Sequence, residues 1–353
     1  MSSHTGKYMA IKSASTRASS SGKKPFTKAS ATKHLAGLSK EIRKQRKALA
    51  QVRKSRARLG MPTAASTQKS VSAMNLMRGV AKDTKVATPT YKLMAQGDSW
   101  FNYWIGKVVL YWLNEDFGHT IDSIAVAGST LNDIVYGPVP HDFLDFRQTD
   151  APSRLAELVD RITTDKPDAL LLSGGGNDIA GDEFFNFVNN KLSNLDGVNS
   201  GVVAAVISPT FIKAYEDLIN AALAAGVAAG KPLKIFTHAY DYPWPDGRGV
   251  TWMHGFIGPW FDNTFTAKNY PKATLADLQS RHDIVAPFID ALNEMLVKVS
   301  AKYPGKVFHI KTPGTLSATT GNYRNAWANE LHPTDDGFRQ IAKVFQQAIL
   351  NNM

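Results

Sequence analysis

Tyr91-Lys92-Leu93-Met94-Ala95-Gln96-Gly97-Asp98-Ser99-Trp100 joins a short apolar run to a glycine-containing turn. An apolar run of this length, bounded by turn residues, reads as a buried strand, and helix-like periodicity begins beyond it at Phe101-Asn102-Tyr103-Trp104. Open α/β sheets present reactive side chains at the carboxyl ends of their strands, which makes Ser99 a candidate nucleophile. Gly, Asp and Ser are also ordinary turn formers, and a serine in this place serves equally as a helix cap. Partners elsewhere in the chain decide between the two.

Strand and helix signals alternate from residue 91 to the end, a pattern of parallel strands with helical crossovers. The apolar runs predict strands at 91–96, 121–126, 168–173, 233–237 and 306–310. Helices are expected near 101–115, 153–164, 209–229, 274–303 and 336–350. Five such strands predict an α/β fold: a flavodoxin-like, three-layer α/β/α domain over residues 89–353 with a central five-stranded parallel sheet.

The remainder of the chain differs in composition. The 353 residues are 43% hydrophobic and carry a formal charge of +11. Residues 1–88 hold 20 Lys and Arg against Glu41 and Asp83, whereas residues 89–353 hold 21 basic and 28 acidic side chains. The chain is therefore an acidic body with a basic N-terminal arm. Residues 1–33 carry few large apolar groups and are expected to be disordered, since burial cannot offset the entropy of ordering them. Leu35, Leu38, Ile42, Leu49, Val52 and Leu59 form an apolar stripe among many lysines and arginines, predicting a basic amphipathic helix over 35–59. Residues 60–88 then read as a linker. Such an arm suits an anionic partner, whether a membrane surface, a nucleic acid or an acidic protein, or serves as a plain tether.

The chain has no cysteine, which excludes disulfides, thiolate catalysis and Cys-based metal centres. Its nine histidines show no metal-ligand spacing, so neither a metal nor another cofactor is implied. No apolar run is long enough to span a bilayer and no standard secretory signal is evident, so the protein is expected to be soluble, cytoplasmic or exported by a non-standard route.

The predicted strands end in unusual loops. The second is followed by Ala127-Gly128-Ser129-Thr130, the third by Gly174-Gly175-Gly176-Asn177-Asp178 and the fourth by His238-Ala239-Tyr240-Asp241-Tyr242-Pro243. A longer loop after the fifth carries Asn329-Glu330-Leu331-His332-Pro333. These loops should line one crevice. The glycine run has neither dinucleotide-binding nor P-loop spacing, and reads instead as backbone able to approach a substrate closely.

Gly97-Asp98-Ser99, Gly128, Gly176-Asn177-Asp178 and His332-Pro333 resemble, in type and order, the four sequence blocks of the SGNH (GDSL-type) hydrolases. The resemblance spans roughly residues 91–350 and none of the arm. It implies an esterase or lipase in which Ser99 is the nucleophile and His332 the base. The Ser99 and Gly128 amides and the Asn177 side chain would then form an oxyanion hole. One position departs from the pattern: that family usually carries Asp three residues before its histidine, and this chain has Asn329. At the orienting position of a serine protease, Asp to Asn lowers the rate about 10⁴-fold. Asn329 itself, a plain Ser–His dyad, Asp241 from the fourth loop and Glu330 are the candidates for the third role, in that order.

Residues 239–271 form an insertion rich in Tyr, Trp and Phe, broken by Gly and Pro. It reads either as a satellite core under a long loop or as a lid over the crevice. Trp100, Tyr240, Tyr242, Trp244 and Trp260 are the candidate substrate-contact residues. An aromatic site favours a lipid, aryl or short-chain carboxylic ester, small or polymer-borne. The alternatives are a carbohydrate acetylesterase and, from another class, a catalytically silent binding module using the same crevice.

Overall fold

The computed structural model describes residues 89–353 except 104, 139–152, 253–254 and 317–318. The basic arm, its expected helix at 35–59, Trp104 and the side chains of 251–257 lie outside that description.

The strands are β1 (Lys92–Gln96), β2 (Thr120–Ser123), β3 (Ala169–Leu172), β4 (Lys234–His238), β5 (Val250–Trp252), β6 (Gly255–Ile257) and β7 (Val307–Ile310). Five of them form one sheet in the order β2-β1-β3-β4-β7, every pair parallel. This is the flavodoxin-like order expected from the sequence. Leu93, Met94 and Ala95 of β1 and all four residues of β3 are buried, because a parallel sheet covered on both faces leaves no solvated side to alternate with.

The helices are α1 (Val109–Glu115), α2 (Leu131–Val135), α3 (Arg154–Asp165), α4 (Phe184–Phe187), α5 (Ser200–Ala205), α6 (Ile212–Ala228), α7 (Asp262–Ala267), α8 (Leu275–Ser300), α9 (Tyr323–Ala326) and α10 (Asp335–Asn352). One layer packs α1 on α10; the other packs α3 on α6 and α6 on α8. The 26-residue α8 starts at a capping box of Thr274 and Asp277. It buries Val285, Phe288, Ile289, Leu292, Met295, Leu296 and Val299 on one face.

Three departures from the sequence reading have local causes. The helix expected from residue 101 begins only at Val109. A single turn closes on Asp98 O, which accepts the Phe101 and Asn102 amides, and the Asn102 side chain then donates to Ala125 O at 2.7 Å, tying the segment to the loop after β2. The second strand stops at Ser123, although Ile124 and Val126 still donate to Ala95 and Gly97 at the end of β1. The long helix ending at Ala228 is preceded by a π-helical turn, Val206–Phe211, that contains Pro209. Proline has no N–H to continue the α ladder, so the turn widens there.

Within the insertion, β5 and β6 pair as an antiparallel hairpin. Phe261 and Phe265 meet Phe184 edge-on at 4.8 and 5.3 Å, and the buried Arg281 donates to Asp262 at 2.6 Å. Much of the insertion is thus a satellite core laid against α8. Among the described residues no helix is long and apolar enough to cross a membrane.

Candidate active site

The sheet order reverses between β1 and β3, and the crevice of a doubly wound sheet opens at that point. The loops bearing Ser99 and Asn177 leave from these two strands. Asp98 anchors the first loop: one carboxyl oxygen accepts the Trp100 amide at 3.1 Å and the Ser173 hydroxyl at 2.8 Å, and the Tyr240 hydroxyl donates to the other. Burial pushes this carboxyl above its ordinary range despite those donors. The Trp100 indole N–H donates to Leu331 O at 3.1 Å, tying the Ser99 loop to the loop that carries His332.

Ser99 Oγ lies 2.8 Å from His332 Nε2, and His332 Nδ1 lies 3.1 Å from Asn329 Oδ1. The same Oδ1 accepts the Leu331 and His332 amides, each at 2.9 Å, while Asn329 Nδ2 donates to the Tyr103 hydroxyl at 3.2 Å. Backbone N–H groups are obligate donors, so the atom facing them is the amide oxygen. An acceptor opposite Nδ1 requires the proton to sit on Nδ1, leaving the Nε2 lone pair toward Ser99. His332 is only 3% exposed, and burial pushes its pKa down to about 3, so the imidazole is neutral at pH 7. A serine hydroxyl facing a neutral imidazole nitrogen can pass its proton to that nitrogen as the hydroxyl attacks.

The other two expected outside acids are engaged elsewhere. Asp241 accepts the Tyr242, Gly314 and Leu316 amides at 2.8, 2.7 and 2.6 Å, bracing the loop beyond β7. Glu330 accepts the amides of Gly247, Trp260 and Phe261 at 3.0, 2.6 and 2.8 Å, and burial pushes its pKa up to about 7. It pins the insertion to the histidine loop, and Arg248 Nη1 adds bonds to Trp327 O and Ala328 O. The imidazole partner is Asn329.

Gly128 has φ +79°, a left-handed conformation that glycine adopts without strain. Asn177 Nδ2 donates to Ser129 O at 3.0 Å, which brings the third loop against the second. Arg154 Nη1 donates to the Ser129 hydroxyl at 2.7 Å. This guanidinium is buried and forms no ion pair among the described residues; burial lowers its pKa to about 10, still leaving it charged. Asp178, whose carboxylate accepts the Leu131 amide at 2.8 Å, is pushed up to about 7, mainly by burial and secondarily by the negative field of Asp98. The glycine run lets backbone pack closely: a Cβ on Gly176, which lines the cavity beside Ser99, would lie 2.8 Å from the Tyr240 ring.

Beside Ser99 lies an apolar cavity lined by Trp100, Ile179, Phe184, Tyr240, Phe288 and Ile289, among others. The cavity volume is about 40 Å³. Of the candidate substrate-contact residues, Trp100 and Tyr240 line this cavity. Trp260 meets the His332 ring edge-on at 5.6 Å. Tyr242 and Trp244 do not line the cavity: Tyr242 donates to Asp290, and Trp244 packs against Tyr323 and His282 in the satellite core. Among the described residues no group of three His, Asp or Glu is placed to hold a metal.

Arg154 and the stacking of Tyr103 on His332 were not anticipated. Arg154 did leave a trace in the sequence, since a cation in the first turn of a helix opposes the macrodipole and needs another reason to be there. Tyr103 left none beyond its place among the aromatic residues after Ser99.

No family model matches the chain, and no curated protein matches it. Solved structures similar in fold include an extracellular lipase from Streptomyces rimosus, at 16% identity and TM-score 0.42 over 73% of this chain and 99% of that one. A carbohydrate esterase family 3 protein from Talaromyces cellulolyticus aligns at 13% identity and TM-score 0.39 over 74% and 96%. At these values the likeness concerns the course of the chain and not its chemistry.

Proposed function

We propose that this protein is a serine hydrolase that cleaves carboxylic esters of short acyl chains. The carrying observation is the Ser99 Oγ to His332 Nε2 contact of 2.8 Å, with Nδ1 held by Asn329 and an apolar cavity alongside. Ser99 Oγ attacks the ester carbonyl as its proton moves to Nε2, and the carbonyl π electrons collect on oxygen. The Ser99 and Gly128 amides donate to no acceptor among the described residues and, with the Asn177 amide turned from Ser129 O, would serve that oxyanion. Collapse expels the alcohol with the proton from Nε2 and leaves an acyl-enzyme. Water, deprotonated by His332, then releases the carboxylic acid and restores the serine.

The cavity sets the acyl side. Its roughly 40 Å³ is about a quarter of the 150 Å³ of an apolar cavity that takes benzene, so it suits two or three carbons better than an aryl or lipid chain. A carbohydrate acetate has the same acyl group and is the second reading this observation favours. The test is turnover of p-nitrophenyl acetate, butyrate and octanoate and of an acetylated oligosaccharide, together with fluorophosphonate labelling. Rates should fall with chain length, and S99A should lose both turnover and label while remaining folded. Undiminished turnover in S99A would overturn the mechanism. An unlabelled, inactive wild-type protein would leave the binding-module reading standing.

A further inference from the structure

We propose that Tyr103 is a positioning residue for His332, its ring face stabilising the imidazolium that no carboxylate neutralises here and its hydroxyl tethering the Asn329 side chain that faces the imidazole. The inference rests on the ester-hydrolase reading and adds a role to the same site.

The Tyr103 and His332 rings are stacked with centroids 3.9 Å apart and planes within 6°. That is closer than the roughly 4.5–7 Å usual for aromatic pairs. The Tyr103 hydroxyl accepts from Asn329 Nδ2 at 3.2 Å, so one side chain touches both the base and the amide that orients it. Were Asn329 flipped, its NH₂ would face the Leu331 and His332 amides and Nδ1, which fixes the amide oxygen on that side; the Tyr103 hydroxyl, able to donate or accept, tethers the side chain in place.

The groups that face His332 are Ser99 and Tyr103 from the loop after β1, Asn329 from its own loop and Trp260 from the insertion. The carboxylates of Asp98, Asp241 and Glu330 are each bonded to their own donors. When Nε2 takes the serine proton, the positive charge therefore forms in a buried place without an ion-pair partner. The negative face of an aromatic ring within about 6 Å attracts such a cation, and that attraction corresponds to roughly 2- to 30-fold in an equilibrium or rate. It acts on the charged imidazole of the transition state and not on the neutral resting one.

The experiment compares Y103F, which keeps the ring and loses the hydroxyl, with Y103L and Y103M, which fill the space without a ring. Each is assayed in the full chain with p-nitrophenyl acetate, alone and combined with N329D. Active sites are counted by fluorophosphonate labelling, and His332 is titrated by NMR in an S99A background. Y103L and Y103M should lower kcat by 2- to 30-fold with little change in KM, and should lower the His332 pKa. Y103F should lose less. In the N329D background, where a carboxylate meets the imidazolium, the loss from Y103L should shrink. Equal losses in both backgrounds, an unchanged His332 titration, or Y103F as impaired as Y103L would each overturn the role of the ring. The NMR titration needs no turnover, so it decides this point even if the ester-hydrolase reading fails through S99A.

Discussion

Replacing Asn329 by aspartate should move the acidic limb of the pH–rate profile upward. Asn329 Oδ1 accepts three N–H groups, and Nδ2 meets a hydroxyl that can donate as readily as accept, so the carboxylate of N329D finds a partner for each oxygen without rearrangement. At the observed 3.1 Å, Coulomb attraction between carboxylate and imidazolium at an effective dielectric of about 20 is about 5 kcal/mol. This is a ceiling of about four pKa units at 1.36 kcal/mol per unit. Desolvation of the new carboxylate opposes it, and a rise of about two to three units is expected.

In the proposed mechanism the histidine acts as a base and must be deprotonated, so activity should fall as pH drops through its pKa. With that pKa near 3, wild-type kcat/KM for p-nitrophenyl acetate should stay flat down to about pH 4, whereas N329D should show a limb between about pH 5 and 6. A base whose pKa lies nearer the working pH is also the better catalyst, so the N329D plateau should rise roughly tenfold. The assay is kcat/KM from pH 4 to 9, with released nitrophenol read after quenching at alkaline pH. A limb that stays in place with an unchanged plateau, in a folded N329D protein, would refute the assignment of Asn329 as the orienting group.

Two further outcomes follow from the same neighbourhood. R154M removes the guanidinium that holds Ser129, whose carbonyl positions Asn177; kcat should fall about 10- to 100-fold with KM little changed, and free guanidinium in the assay should restore part of it. Asp178 has its pKa raised to about 7 in the fold against 3.8 unfolded, so the native state binds the extra proton and stability is lost as pH rises between those values. D178N abolishes that loss, so its stability in urea relative to wild type should increase from pH 5 to pH 8; a constant difference would contradict the shift.

The β1–Ser99 segment was legible because a buried parallel strand must be a short apolar run, and a turn after it must contain residues that tolerate tight backbone. The same held for β3, β4 and β7; the helix expected near 274–303 starts where the structure shows a capping box of Thr274 and Asp277. The start of α1 was misplaced because only one turn closes on the carbonyl of Asp98 before the side chain of Asn102 ties the segment to Ala125, 23 residues away. Glu330, two residues before His332, looked like a spare acid; only the folded insertion shows that three amides surround it.

What the sequence alone determined was the order of the strands' carboxyl-end loops and the identity of the side chains they carry, because strand periodicity and turn chemistry act over a few residues. Tertiary structure decided which group meets His332 Nδ1, where Tyr103 lies, and that the buried Arg154 meets the Ser129 hydroxyl. The contacts of Tyr103, Arg154 and Ser99 join residues tens to hundreds of positions apart, and even the local choice of Asn329 over Glu330 or Asp241 depended on where distant amides engaged those acids.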